Sequence, residues 1–147
     1  MVATAHSTRS GARPGALLLA SGLIVVLGAS LAVLQYFNIV EGWEICWEEP
    51  VGDVTDAGDM FGLNISALLR LGAYPVILLV VAAPFLAMAR WEPRIRPRAW
   101  FGVMAAMVLA IAVFVFWADY TLFNYLHIGT VSHDRCPDGR PPWWPLP

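Results

Sequence analysis

Three long apolar runs dominate the pattern of hydrophobic and polar positions along the chain. They cover residues 15–40, 64–89 and 100–126, and each contains at most one charged residue. Because a helix rises about 1.5 Å per residue, roughly 20 residues cross the ~30 Å hydrocarbon core of a bilayer. The pattern therefore predicts an all-α membrane protein with three transmembrane helices. A cleaved secretory signal is the alternative for the first run, since arginines precede it.

The segments between the runs are short. The chain has 147 residues, and only 14% of them are charged, whereas soluble domains average about 25%. Mean hydropathy is +0.63. Outside the runs, too few residues remain for a soluble catalytic domain. All nine basic residues are arginine, a composition typical of bacteria with GC-rich genomes, so we expect a bacterial protein.

Arginine placement in the short segments predicts the orientation. Segments 1–14 and 90–99 are basic, whereas segment 41–63 is acidic and has no basic residue. The arginines concerned are Arg9, Arg13, Arg90, Arg94, Arg96 and Arg98. Because short cytoplasmic segments are enriched in Lys and Arg, we expect a multi-pass plasma-membrane protein with a cytoplasmic N-terminus. The loop 41–63 and the tail 127–147 then lie outside.

The two cysteines of the chain, Cys46 and Cys136, fall in the two segments assigned to the outside. Disulfides persist in extracytoplasmic compartments. We therefore expect one structural disulfide that joins the acidic loop to the tail and forms an extracytoplasmic cap. A redox-active pair is the less favoured alternative, because the C-x-x-C spacing is missing.

Two ionisable residues lie within the predicted spans, Arg70 in the second and Asp119 in the third. A charge within the bilayer is costly, so such residues usually face the bundle and find partners. We expect an ion pair that fixes helix register. The functional alternative makes them, with Asn64 or Asn124, the polar floor of a ligand or ion pocket open to the outside.

The predicted tail contains weaker candidates for a functional site. His127 and His133 could join carboxylates around a metal, but ordinary surface roles are favoured, and we expect no metal and no cofactor. Tryptophans near the outer boundary are candidates for an interface with lipid headgroups or a partner. These are Trp43, Trp47, Trp143 and Trp144.

Small residues recur at four-residue spacing in every run. The positions are Gly28 and Ala32, then Ala83 and Ala87, then Gly102, Ala106 and Ala110. Such ridges let helices approach closely in a membrane, although alanine-rich spans also produce this spacing by chance. A ridge that does not pack against another helix of the same chain could bind another protein or a second copy of this chain.

No hydrolase motif or glycine-rich phosphate loop occurs in the sequence, which favours a protein that is not an enzyme. We expect an accessory or scaffolding subunit of a membrane complex. Its partners would be the lipid bilayer and a larger assembly or a homo-oligomer, with no role for nucleic acid. The alternatives are an oligomeric transporter or channel component that uses Arg70 and Asp119 and, less favoured, an enzyme at the outer interface.

Overall fold

Three long helices make up most of the part of the chain that the structure describes. The structure, a computed structural model, describes residues 14–46, 57–91, 97–125, 132, 134–136 and 141–142. Helix α1 covers Pro14–Cys46, α2 covers Ala57–Trp91 and α3 covers Pro97–Tyr125. Each contains a stretch long and apolar enough to cross a membrane. The prediction of three helices long and apolar enough to span a membrane is therefore confirmed.

The helices are longer than the apolar runs. Helix α1 continues through Glu41 and Glu44 to Cys46, and α2 begins at Ala57. Much of the segment 41–63, which the sequence suggested as a loop, is therefore helical. The end of an apolar run indicates where a helix can leave the hydrocarbon region. It does not show where helical hydrogen bonding stops, since glutamate is a good helix former in water.

A close approach joins α1 to α2. A Cβ atom placed on Gly28 would lie 2.6 Å from the backbone nitrogen of Pro75 and 2.7 Å from its Cα atom. Only glycine fits at that position. Pro75 itself lies inside the continuous helix α2, where membrane helices tolerate proline if neighbouring groups compensate for the lost hydrogen bond.

Two apolar clusters form the core among the described residues. The larger one lies toward the end of α2 and the start of α3, and we call it the turn-side cluster. It draws on all three helices and consists of Ile24, Leu78, Ala82, Met104, Val108 and Ala112. The smaller one, called the disulfide-side cluster, consists of Ile39, Trp43, Leu63 and Tyr120. The two clusters lie at successive depths along the bundle.

The disulfide between Cys46 and Cys136 is present, as the sequence predicted. It defines the disulfide end of the bundle. The backbone N–H of Ser132 donates to the Cys46 carbonyl at 2.7 Å, and the N–H of Cys136 donates to the Ser132 carbonyl at 2.9 Å. The tail thus supplies a hydrogen bond to a carbonyl at the C-terminus of α1, where helical partners run out.

Candidate functional site

An ion pair inside the bundle joins α2 to α3. The Nε atom of Arg70 donates to Oδ2 of Asp119 at 2.5 Å, and Nη2 donates to Oδ1 at 3.1 Å. These two parallel bonds make a bidentate contact, the geometry in which guanidinium and carboxylate groups bind most strongly. The structure therefore brings together the two ionisable residues that the sequence places within spans.

Two hydroxyl groups complete this network. Nη1 of Arg70 donates to Oγ of Ser66 at 2.9 Å, and the hydroxyl of Tyr74 donates to Oδ2 of Asp119 at 2.6 Å. The Ser66 hydroxyl in turn donates to the Leu63 carbonyl at 2.7 Å. Asp119 thus accepts three hydrogen bonds.

The ion pair is largely shielded by the bundle. The side chain of Arg70 is 9% exposed and that of Asp119 is 26% exposed. Charges removed from water are tolerated when they are paired and hydrogen-bonded, and removal of one partner then leaves an uncompensated charge. Arg70 and Asp119 satisfy both conditions.

The network occupies its own depth in the bundle. Along α2, Arg70 lies between Leu63 of the disulfide-side cluster and Leu78 of the turn-side cluster. Along α3, Asp119 precedes Tyr120 and follows Ala112. We call Ser66, Arg70, Tyr74 and Asp119 the polar layer, because it lies between two apolar clusters.

Gln35 lies on α1 at nearly the same depth. Gly28 on α1 contacts Pro75 on α2. Because the two helices run in opposite directions, a step of seven residues, or two turns, from this contact brings Gln35 level with position 68, next to the polar layer. Gln35 is fully buried, and neither Nε2 nor Oε1 has a hydrogen-bond partner among the described residues. A buried polar group without a partner costs roughly 1–3 kcal/mol.

A groove of about 380 Å³ lies between α1 and α2 toward the disulfide end, and its lining is predominantly apolar. Its α1 wall consists of Ala32, Val33, Tyr36 and Phe37, and its α2 wall of Asn64, Ala67, Leu68 and Leu71. Asn64, which the sequence suggested for the floor of a polar pocket with Arg70, therefore lines this groove instead of the polar layer.

The remaining sequence candidates separate into two groups. Trp43 is 9% exposed and packs in the disulfide-side cluster. Outside the described residues lie His127, His133, Trp47, Trp143 and Trp144, and nothing is described of the Asn124 side chain. In the part of the chain that is described, no three His, Cys, Asp or Glu residues are grouped so that they could hold a metal ion.

Three polar residues of this region were missed by the sequence analysis. Ser66 and Tyr74 lie four residues before and after Arg70, so helical spacing could have indicated both as its neighbours. Gln35 follows Gly28 by seven residues on the buried face of α1. No spacing in the sequence distinguishes this glutamine from a polar residue at the membrane interface.

No known protein family matches the chain, and neither a curated protein nor a solved structure matches it. Inference about its function therefore depends on the geometry of its own residues.

Proposed function

We propose that this protein is an accessory or scaffolding subunit of a membrane complex, and that α3 presents a partner-binding ridge. The ridge consists of Gly102, Ala106 and Ala110, which are all exposed and lie one turn apart. A Cβ atom placed on Gly102 would have no neighbouring atom within 4 Å. Ridges of small residues let a second helix approach closely, which is how membrane helices associate.

The ridge lies away from the face that α3 uses inside the chain. Met104 and Val108 face the turn-side cluster, and Ala106 is about 200° around the helix from Met104. By contrast, Gly28 and Ala32 on α1 are buried and already serve packing within the chain. In each span only 17% of the most apolar 18-residue window is buried, which leaves much surface for a partner.

The polar layer supports a structural role for the ion pair. Arg70 and Asp119 satisfy each other across two helices, so they fix the register of α2 and α3. Between the polar layer and the end of the bundle that lies away from the disulfide, the described core is the apolar turn-side cluster. A transport pathway within one copy would need a polar route past that cluster.

We further propose that the disulfide end faces away from the cytoplasm, in the plasma membrane of a bacterium. The arginines of segments 1–14 and 90–99 support this orientation through the enrichment of basic residues in cytoplasmic segments. The bond between Cys46 and Cys136 is consistent with it, because disulfides persist outside the cytoplasm.

Co-purification with matched ridge variants tests the scaffolding role. The full chain carries an N-terminal tag and is extracted gently from its native membranes under non-reducing conditions. We expect a stoichiometric partner that is lost with Ala106→Phe and retained with Ala105→Phe. Both residues are exposed alanines, but Ala105 lies about 100° from the middle of the ridge.

Other results would contradict the proposal. Recovery of the chain alone, or only as a homo-oligomer, would favour the transporter alternative, which flux measurements in liposomes would then examine. Retention of the partner by Ala106→Phe would show that α3 does not bind it through the ridge. Disulfide formation and helical circular dichroism verify that both variants fold.

A further inference from the structure

Two glutamates follow the α1 wall of the groove toward the disulfide end. Glu41 follows Phe37 by one helical turn and Glu44 follows it by two, so both lie beyond the Phe37 edge of the groove, on the side of α1 that Phe37 occupies. Both glutamates are exposed. The apolar groove therefore has two exposed carboxylates beyond its disulfide end.

We propose that this groove binds one zwitterionic phospholipid. Its acyl chain lies between α1 and α2, and the ammonium group of its headgroup faces Glu41 and Glu44. This site is separate from the α3 ridge and does not depend on the scaffolding role.

The walls suit an acyl chain. Ala32 and Ala67 are small residues that leave depth between the helices, while Phe37 and Leu68 border the groove and are 61% and 68% exposed. These residues belong to candidate spans, so in a membrane they would contact lipid. An alkyl chain fills such a groove without leaving polar backbone groups unsatisfied, as required at this depth.

The rim of the groove supplies polar and aromatic groups at the depth of a headgroup. Asn64 brings hydrogen-bond donors and an acceptor, and Tyr36 brings a hydroxyl. Tyr36 and Phe37 contact each other edge to face, with ring centroids 5.6 Å apart. Aromatic side chains favour the membrane interface, and their faces attract ammonium groups.

Charge favours a zwitterionic headgroup over an anionic one. On α1 and α2 near this end, the described charged side chains that are exposed are Glu41 and Glu44. The guanidinium of Arg70 is turned into the bundle, where it binds Asp119 and Ser66. A negatively charged headgroup would meet repulsion from the carboxylates, whereas an ammonium would be attracted.

Native mass spectrometry of the full chain tests the site. The protein is released from nanodiscs that contain equal amounts of phosphatidylethanolamine and phosphatidylglycerol with identical acyl chains. We expect a one-lipid adduct in which phosphatidylethanolamine is favoured about threefold, the ratio that one exposed ion pair typically gives. The double variant Glu41→Gln and Glu44→Gln should lose that preference and keep an adduct.

Variants that fill the groove separate binding in it from general lipid adhesion. Ala67→Phe should remove the adduct, whereas Ala73→Phe, at an exposed alanine of α2 outside the groove, should keep it. Leu68→Trp, at a position already exposed to lipid, narrows the groove with little risk to folding and should weaken the adduct.

Three results would overturn the proposal. They are equal binding of the two lipids by the unmodified chain, an adduct that survives both Ala67→Phe and Leu68→Trp, and a dimer that replaces the adduct and disappears with Ala67→Phe. The last result would assign the groove to a second copy of the chain.

Discussion

The ion pair between Arg70 and Asp119 gives the sharpest prediction about stability. Asp119→Leu removes the acceptor of three hydrogen bonds and leaves the guanidinium of Arg70, 9% exposed, without its counter-charge. Loss of one partner of a buried pair costs about 3–5 kcal/mol. Arg70→Met should cost a similar amount, because Asp119 then keeps only the hydrogen bond from Tyr74.

The double variant should be more stable than either single variant. With Arg70→Met and Asp119→Leu together, no unpaired charge remains, and replacement of a whole ion pair by apolar side chains is often close to neutral. The Tyr74 hydroxyl loses its acceptor, which costs about 1–3 kcal/mol, while Ser66 keeps its bond to Leu63. We therefore expect a net loss of about 1–3 kcal/mol.

The assay is reversible unfolding in mixed micelles with increasing SDS, followed by tryptophan fluorescence. Arg90→Met is the matched control, since Arg90 is exposed near the opposite end and its loss should change the free energy of unfolding by less than about 0.5 kcal/mol. If the double variant were as unstable as the sum of the two single variants, the two residues would be independent, and the register role of the polar layer would be refuted.

Two further predictions concern α1 and use the same assay. Gly28→Ala should lower the free energy of unfolding by about 1–3 kcal/mol, because its Cβ would collide with the Pro75 backbone, whereas Gly22→Ala, with open space around it, should stay within about 0.5 kcal/mol; equal effects would contradict the close approach. Gln35→Leu should raise the free energy of unfolding by roughly 1 kcal/mol, because it removes a buried amide that has no described partner. A loss of stability would instead show that the Gln35 amide is hydrogen-bonded in the membrane.

Sequence reasoning reached the architecture because hydrocarbon imposes a simple rule on the chain. A segment that crosses it must be apolar and must satisfy its own backbone hydrogen bonds. The three runs carry that information directly. The disulfide followed from the same reasoning, since the orientation placed Cys46 and Cys136 in the same compartment.

The polar layer could be predicted only in part. Arg70 and Asp119 were visible as charges in apolar runs, but their pairing depends on how α2 and α3 rotate and shift against each other. Gln35 shows the limit most clearly. Gln35 lies two turns from the close approach of Gly28 to Pro75, a contact between residues far apart in sequence that periodicity does not reveal.

The ends of the helices also could not be predicted from the hydropathy pattern. Glu41 and Glu44 continue α1 after the apolar run ends, because helical hydrogen bonds do not require an apolar surface. That extension places both carboxylates beyond the disulfide end of the groove. Their position is therefore a consequence of helix length and could not be predicted from hydropathy.

The orientation of the three spans is the central claim, since the compartment of the disulfide and the side of the groove mouth depend on it. The direct measurement is labelling of intact cells with a membrane-impermeant maleimide, using Glu44→Cys at the disulfide end and Arg90→Cys near the opposite end. Cys46 and Cys136 are bonded to each other and give no background. We expect Glu44→Cys to be labelled in intact cells and Arg90→Cys only after permeabilisation. The reverse pattern, or labelling of both variants in intact cells, would contradict the account.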